Sequence, residues 1–135
     1  MEKYVIDQYA SPEVSHKLKS IGFNDNCFAY YYDKTLILEI PSKFYTCKNS
    51  VYTDNCATAP LLQQAIAFLE TKDIEVVPYF NASGCVYDIN SVNGTHICWS
   101  EFDGPNDGGA WDTKKEATEH AILKAISILE ERKNN

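Results

Sequence analysis

The sequence predicts an α+β fold, a single domain over residues 1–135 with helices covering antiparallel sheet in the order α-β-β-α-β-β-β-α. Three observations carry that expectation. Apolar residues recur at helical spacing in three segments, each opened by capping residues; short β-rich runs lie between them; and Asp33-Lys34 and Asn93-Gly94 supply the tight polar turns that join antiparallel strands. Strands joined in this way bury one face under helices, which gives a layered fold.

Ser11-Pro12-Glu13 reads as N-cap, first-turn proline and dipole-favoured acid, and Val14, Leu18 and Ile21 follow at i, i+4 and i+7. Gly22 is placed to end this helix in the left-handed conformation, with Phe23 folding back on its last turn. CFAYYYD (27–33) and TLILEI (35–40) form a hairpin around Asp33-Lys34. Residues 41–57 carry turn formers without a stable period, which predicts the longest and most mobile loop. Thr58 and Pro60 then open a second helix to about Asp73, with Leu62, Ala65, Ile66 and Leu69 on its buried face. IEVVPYF (74–80) is a strand that Pro78 confines to a sheet edge or a bulge, because proline donates no ladder hydrogen bond.

GCVYDINSV (84–92) and THICWSEF (95–102) flank Asn93-Gly94, the signature of a type I′ turn. Pairing Val92 with Thr95 puts Tyr87, Ile89, Cys98 and Phe102 on the expected core face and Val86, Ile97 and Trp99, beside Asp88 and Asn90, on the other. In DGPNDGG the glycines permit a tight exit from the strand, and Thr113-Lys114-Lys115-Glu116 has capping-box spacing. The helix so opened runs to about Lys133 on a stripe of Ala117, Ala121, Ala125, Ile128 and Leu129. Residues from about 58 to 133 therefore make an α-β-β-β-α unit.

Charge narrows the functions. The net charge is −7, and residues 74–135, with 10 acidic and 5 basic side chains, hold most of it. A phosphate backbone is bound largely by lysine and arginine, so this field opposes nucleic acid and suits a protein partner with a basic surface. The start of the chain has no apolar run of signal-peptide length and no window suits a membrane span, so a cytoplasmic protein without membrane attachment is expected. Five cysteines, an odd number without a CxxC pair, read as free thiols in a reducing compartment. Asn81-Ala-Ser83 and Asn93-Gly-Thr95 match the glycosylation pattern, which has meaning only in a secreted chain.

No motif commits the chain to catalysis: GxSxG, HExxH, a Walker loop and a dinucleotide fingerprint are absent from the sequence, so no catalytic residue and no cofactor is assigned. DGPNDGG places Pro105 at the third and Lys114 at the twelfth position of a calcium loop, where ligands are required. His96, Cys98 and Cys85 could share a strand face, but zinc would need a fourth ligand and only His120 is spare. A nucleophile could pair Cys47 or Cys56 with His16 only through tertiary contact. The aromatic residues Tyr31, Tyr45, Tyr52 and Trp111 are the candidates for an interaction surface, because exposed aromatics are enriched where proteins meet.

Three segments, SPEVSHKLKSIGFNDNCFAYYYD, APLLQQAIAFLETKDI and DTKKEATEHAILKAISILEE, together resemble a group of small uncharacterised proteins carried by phages and prophages of Bacteroidetes bacteria. That resemblance spans most of the chain and implies a dispensable intracellular accessory protein that acts by binding, with no active site to transfer. Residues 60–133, ending in GGAWDTKKEATEHAILKAISIL, more weakly resemble a double-stranded RNA binding domain. Such domains hold duplex phosphates through lysines at the last helix's N-terminus, and only Lys114 and Lys115 carry over; Thr118 stands at the family's third basic position. The expected function is a non-catalytic interaction protein with an unknown protein partner, compatible with a homodimer; an RNA-binding module and a small enzyme without a recognisable motif are the alternatives.

Overall fold

The computed structural model describes residues 2–39, 42 and 46–134. The expected α-β-β-α-β-β-β-α order is present, with three short elements added: a leading helical turn, a 3-10 turn and one more strand. The chain divides into two units, residues 1–65 and 66–135, each with its own sheet.

The first unit begins with α1 (Lys3–Ile6) and α2 (Pro12–Ser20). The Ser11 hydroxyl accepts the Val14 N–H at 3.3 Å, and Gly22 at φ 95° returns the chain so that Phe23 N–H donates to Leu18 O at 3.0 Å. Phe23 is buried, as are Val14 and Leu18 of the helix it closes. Strands β1 (Ala29–Tyr32) and β2 (Thr35–Leu38) pair around Asp33, whose φ of 56° makes the reversal.

The span 41–57, expected to be structureless, holds the 3-10 turn Asn49–Val51 and the start of β3 (Cys56–Thr58), which pairs antiparallel on the other side of β1. Three residues are too few to show a period, so the strand is invisible to pattern reading. The order is therefore β2-β1-β3, and α2 packs on β3. Thr58 ends this strand instead of capping a helix; α3 (Leu62–Glu70) starts later, after Gln64 Oε1 has accepted the Leu61 N–H at 2.9 Å.

The second unit is the rest of α3, then β4 (Glu75–Asn81), β5 (Gly84–Asn90), β6 (His96–Trp99) and α4 (Lys114–Lys133), with strand order β4-β5-β6. β4 lies at the edge, where Pro78 is tolerated. Asp73, at φ 64°, ends α3, and its carboxylate accepts the Ser91 hydroxyl at 2.8 Å and the Val92 N–H at 3.1 Å. These two bonds hold its pKa below the ordinary range.

The β5–β6 turn differs from the expected type I′. Of Asn93 and Gly94 only the glycine has positive φ, and Ser91 N–H donates to Thr95 O at 2.7 Å, so three residues lie inside the closing bond. A register shift between Ile89 and Asn90 absorbs the extra residue, and from there on Ile89 faces Cys98 and Asp88 faces Trp99 as the pattern predicts. Tyr87 and Ile89 are core; Phe102 is not, because the strand ends at Trp99 and Glu101, at φ 54°, turns the chain outward.

α4 packs on β4 and β5, and it buries Ala117, Thr118, Ala121, Ile122, Ala125 and Ile126. Ile128 and Leu129, assigned to that stripe, are only half-buried. The small residues let the axis lie close to the sheet, so the adjacent Ile122 and Ile126 are covered as well.

Candidate functional site

The residues singled out in sequence do not gather into one place. Tyr31 belongs to the first unit's core with Tyr9, Ala29 and Ala59, and its hydroxyl donates to Ala10 O at 2.7 Å. Being on the central strand of three, it is covered, and the exposed tyrosine of that hairpin is Tyr32. Tyr52 is half-buried and stacks on Tyr30 with ring centroids 4.5 Å apart. Tyr45 lies outside the described residues.

Trp111 is a core residue of the second unit. It exchanges both backbone hydrogen bonds with Cys85, and its ring stacks on Tyr87 at 5.9 Å and on His120 of α4 at 4.8 Å. The bridge extends the line that β6 leaves at Trp99, so residues 101–109 form an excursion that closes on itself. Gly104 N–H donates to Gly109 O at 2.8 Å and Asn106 N–H to Ala110 O at 3.0 Å. A Cβ on Gly104 would meet the Ala110 carbonyl at 2.4 Å, so the glycine serves the tight return.

Lys114 and Lys115 occupy the first turn of α4 behind the Thr113 cap, which accepts the Glu116 N–H at 3.1 Å. Thr118 is buried, and its hydroxyl donates to Lys114 O at 2.6 Å. It therefore presents nothing to a phosphate. Asp112 is engaged by Asn106 Nδ2 at 2.7 Å, and among the described residues no three His, Cys, Asp or Glu side chains are placed to hold a metal ion. Cys27, Cys47, Cys56 and Cys85 are buried free thiols. Burial pushes the Cys27 thiol up to about 12 and raises those of Cys47 and Cys85, the opposite of what a nucleophilic thiolate needs.

A surface that the sequence offered only in part is the face of β4-β5-β6 turned away from α4. Alternation from the observed register puts Val77 and Tyr79 of β4, Val86 and Asp88 of β5 and Trp99 of β6 on this side. Trp99 is 47% and Tyr79 41% exposed, and the neighbouring Phe102 is 76% exposed. The Trp99 and Phe102 rings meet edge to face at 5.8 Å. The pattern had placed Trp99 beside Asp88; Phe102 was missed because the turn at Glu101 has no signature.

No protein-family model matches the chain, and no curated protein or solved structure matches it. The arrangement of side chains alone carries the functional reading.

The first unit has a hollow of about 420 Å³ lined by His16, Tyr32, Asp33, Asp54 and Asn55. Its titratable groups could in principle do acid–base work. Of the described lining residues four are exposed and His16 is half-buried, so these groups stand in water rather than in the excluded, preorganised setting in which they accelerate a reaction. Among the described residues no helix is long and apolar enough to cross a membrane.

Proposed function

We propose that the protein is a non-catalytic intracellular accessory protein that works by binding another protein through the outer face of the second sheet, in keeping with its phage-type resemblance. The observation that supports this reading is the exposed set of Tyr79 and Trp99 on one side of an antiparallel sheet, with Phe102 against the Trp99 ring. Large aromatics leave water favourably at an interface, and tryptophan and tyrosine dominate binding energy where they become buried.

Replacing Phe102 by a photo-reactive phenylalanine analogue and irradiating Bacteroidetes cells that express the protein tests it. Discrete protein adducts are expected from position 102, lost on Trp99→Ala, and none from the same analogue at the exposed Lys34. Identical adduct patterns from both positions would refute the assignment of the face.

One observation favours a second reading: the α3-β4-β5-β6-α4 order is the one that the resemblance to double-stranded RNA binding domains implies. Against it stand the buried Thr118 and the carboxylates of Asp103, Asp107 and Asp112 ahead of the two lysines. Duplex RNA binding that weakened steeply with salt and vanished on Lys114→Ala with Lys115→Ala would establish this reading over the first.

A further inference from the structure

The outer face of the second sheet sets a carboxylate between two aromatic rings. Asp88, on the middle strand, is directly opposite Trp99 of β6 and Val77 of β4, and Tyr79 is one diagonal step further along β4. Strands are about 4.8 Å apart, so both rings reach a group held above Asp88. The Tyr79 hydroxyl donates to Asp88 Oδ1 at 3.5 Å, a long bond, and no lysine or arginine pairs with that carboxylate among the described residues.

The charges around this face are mostly acidic. Glu75 shares the face on β4, and Glu101 and Asp103 follow β6. Burial raises the Cys98 thiol on the opposite side of β6, Lys124 opposes that rise, and the carboxylates of Glu101, Asp103 and Asp88 add to it, so three carboxylates and one lysine surround this strand. The second unit as a whole has 12 acidic and 6 basic residues.

We propose that the Tyr79–Asp88–Trp99 row is a seat for an arginine side chain in a basic segment of the protein partner, an assignment that rests on the reading of this face as a protein-binding surface. The guanidinium plane lies on the Trp99 indole, with Tyr79 on its other flank, and its N–H groups donate to Asp88. A planar cation can stack and hydrogen-bond at its edge at the same time, which an ammonium cannot, so arginine fits better than lysine. A second copy of this chain does not fit, since it carries −7 and a single arginine, Arg132.

The test is fluorescence anisotropy with a labelled peptide of alternating glycine and arginine, its citrulline counterpart of nearly the same shape without charge, and its lysine counterpart. Binding of the arginine peptide is expected to be at least roughly tenfold tighter than that of the citrulline peptide and several-fold tighter than that of the lysine peptide. Trp99→Ala and Asp88→Asn should each weaken it by roughly fivefold or more. Glu13→Gln, an equal change of charge at an exposed position of α2, should have little effect.

Equal binding of arginine and citrulline peptides, or a Glu13→Gln loss as large as that from Asp88→Asn, overturns the seat. All the altered side chains are partly or fully exposed, and a thermal unfolding curve confirms that each variant is folded. Cross-links at position 102 that persist while the peptides show no preference would remove the seat and leave the binding surface standing. Loss of the cross-links as well would remove both.

Discussion

Replacing Asn49 by alanine should cost much of the protein's stability. The side chain is 6% exposed and holds two buried backbone groups from distant segments: its Nδ2 donates to Phe23 O at 2.8 Å, and its Oδ1 accepts the Thr58 N–H at 2.9 Å. Alanine leaves both without a partner. Each stranded buried group costs about 1–3 kcal/mol, so the loss of two should be roughly 2–6 kcal/mol. Against a typical total of about 5–15 kcal/mol this is a large fraction. Urea unfolding of the two proteins at 25 °C measures it. A loss below about 1 kcal/mol at unchanged denaturant slope would mean that water replaces the amide and that Asn49 does not pin the 3-10 turn.

The Asn49→Asp variant sharpens the point. It keeps an acceptor for Thr58 but turns a second oxygen toward Phe23 O, so it should be as damaging as alanine at neutral pH. Burial and the facing carbonyl raise the folded-state pKa of the introduced carboxyl, because the protonated form alone can donate. The variant should therefore be most stable below the unfolded value of about 3.9 and lose stability as pH rises through the folded one.

Three other outcomes are expected. Gly84→Ala should destabilise by more than about 2 kcal/mol in thermal unfolding, since φ is 135° and the added Cβ would meet Trp111 O at 2.5 Å. Stability should hold up to about pH 9 and fall as pH rises toward 12, because burial raises Cys27 and Tyr87 each to about 12 in the folded protein, so the unfolded chain ionises first; alkaline titration by circular dichroism follows it. Thr113→Ala should cost about 1 kcal/mol through loss of the α4 cap, measurable by urea unfolding, with peptide binding at the outer sheet face unchanged.

What could be read from the sequence was whatever local chemistry determines. Ser11-Pro12, Gly22-Phe23 and Thr113 specify helix ends through bonds within a few residues of themselves, and they sit where the pattern put them. Cys56–Thr58 escaped because a three-residue strand exists only by pairing with β1, a contact that no local signal encodes. Tyr31 and Trp111 failed as surface candidates for a related reason: whether an aromatic side chain is covered depends on the layer above it, and both have one. Alternation placed Trp99 beside Asp88 correctly, so two members of the proposed seat were legible; Tyr79 needed the register of β4 against β5.

The bridge between Cys85 and Trp111 fastens the far end of residues 101–109 to the second sheet. Ser100 N–H is tied to Tyr87 O at 2.9 Å on one side of the excursion, and Trp111 to Cys85 on the other, so the strand line of β5 is bonded at both ends of the path between. Loop-closure entropy grows slowly with length, so residues could be inserted at the tip near Asp107 at little thermodynamic cost, provided the Gly104–Gly109 return is kept. With Phe102 at its root, it is where descendants of this protein could acquire new partners while the scaffold that presents them stays the same.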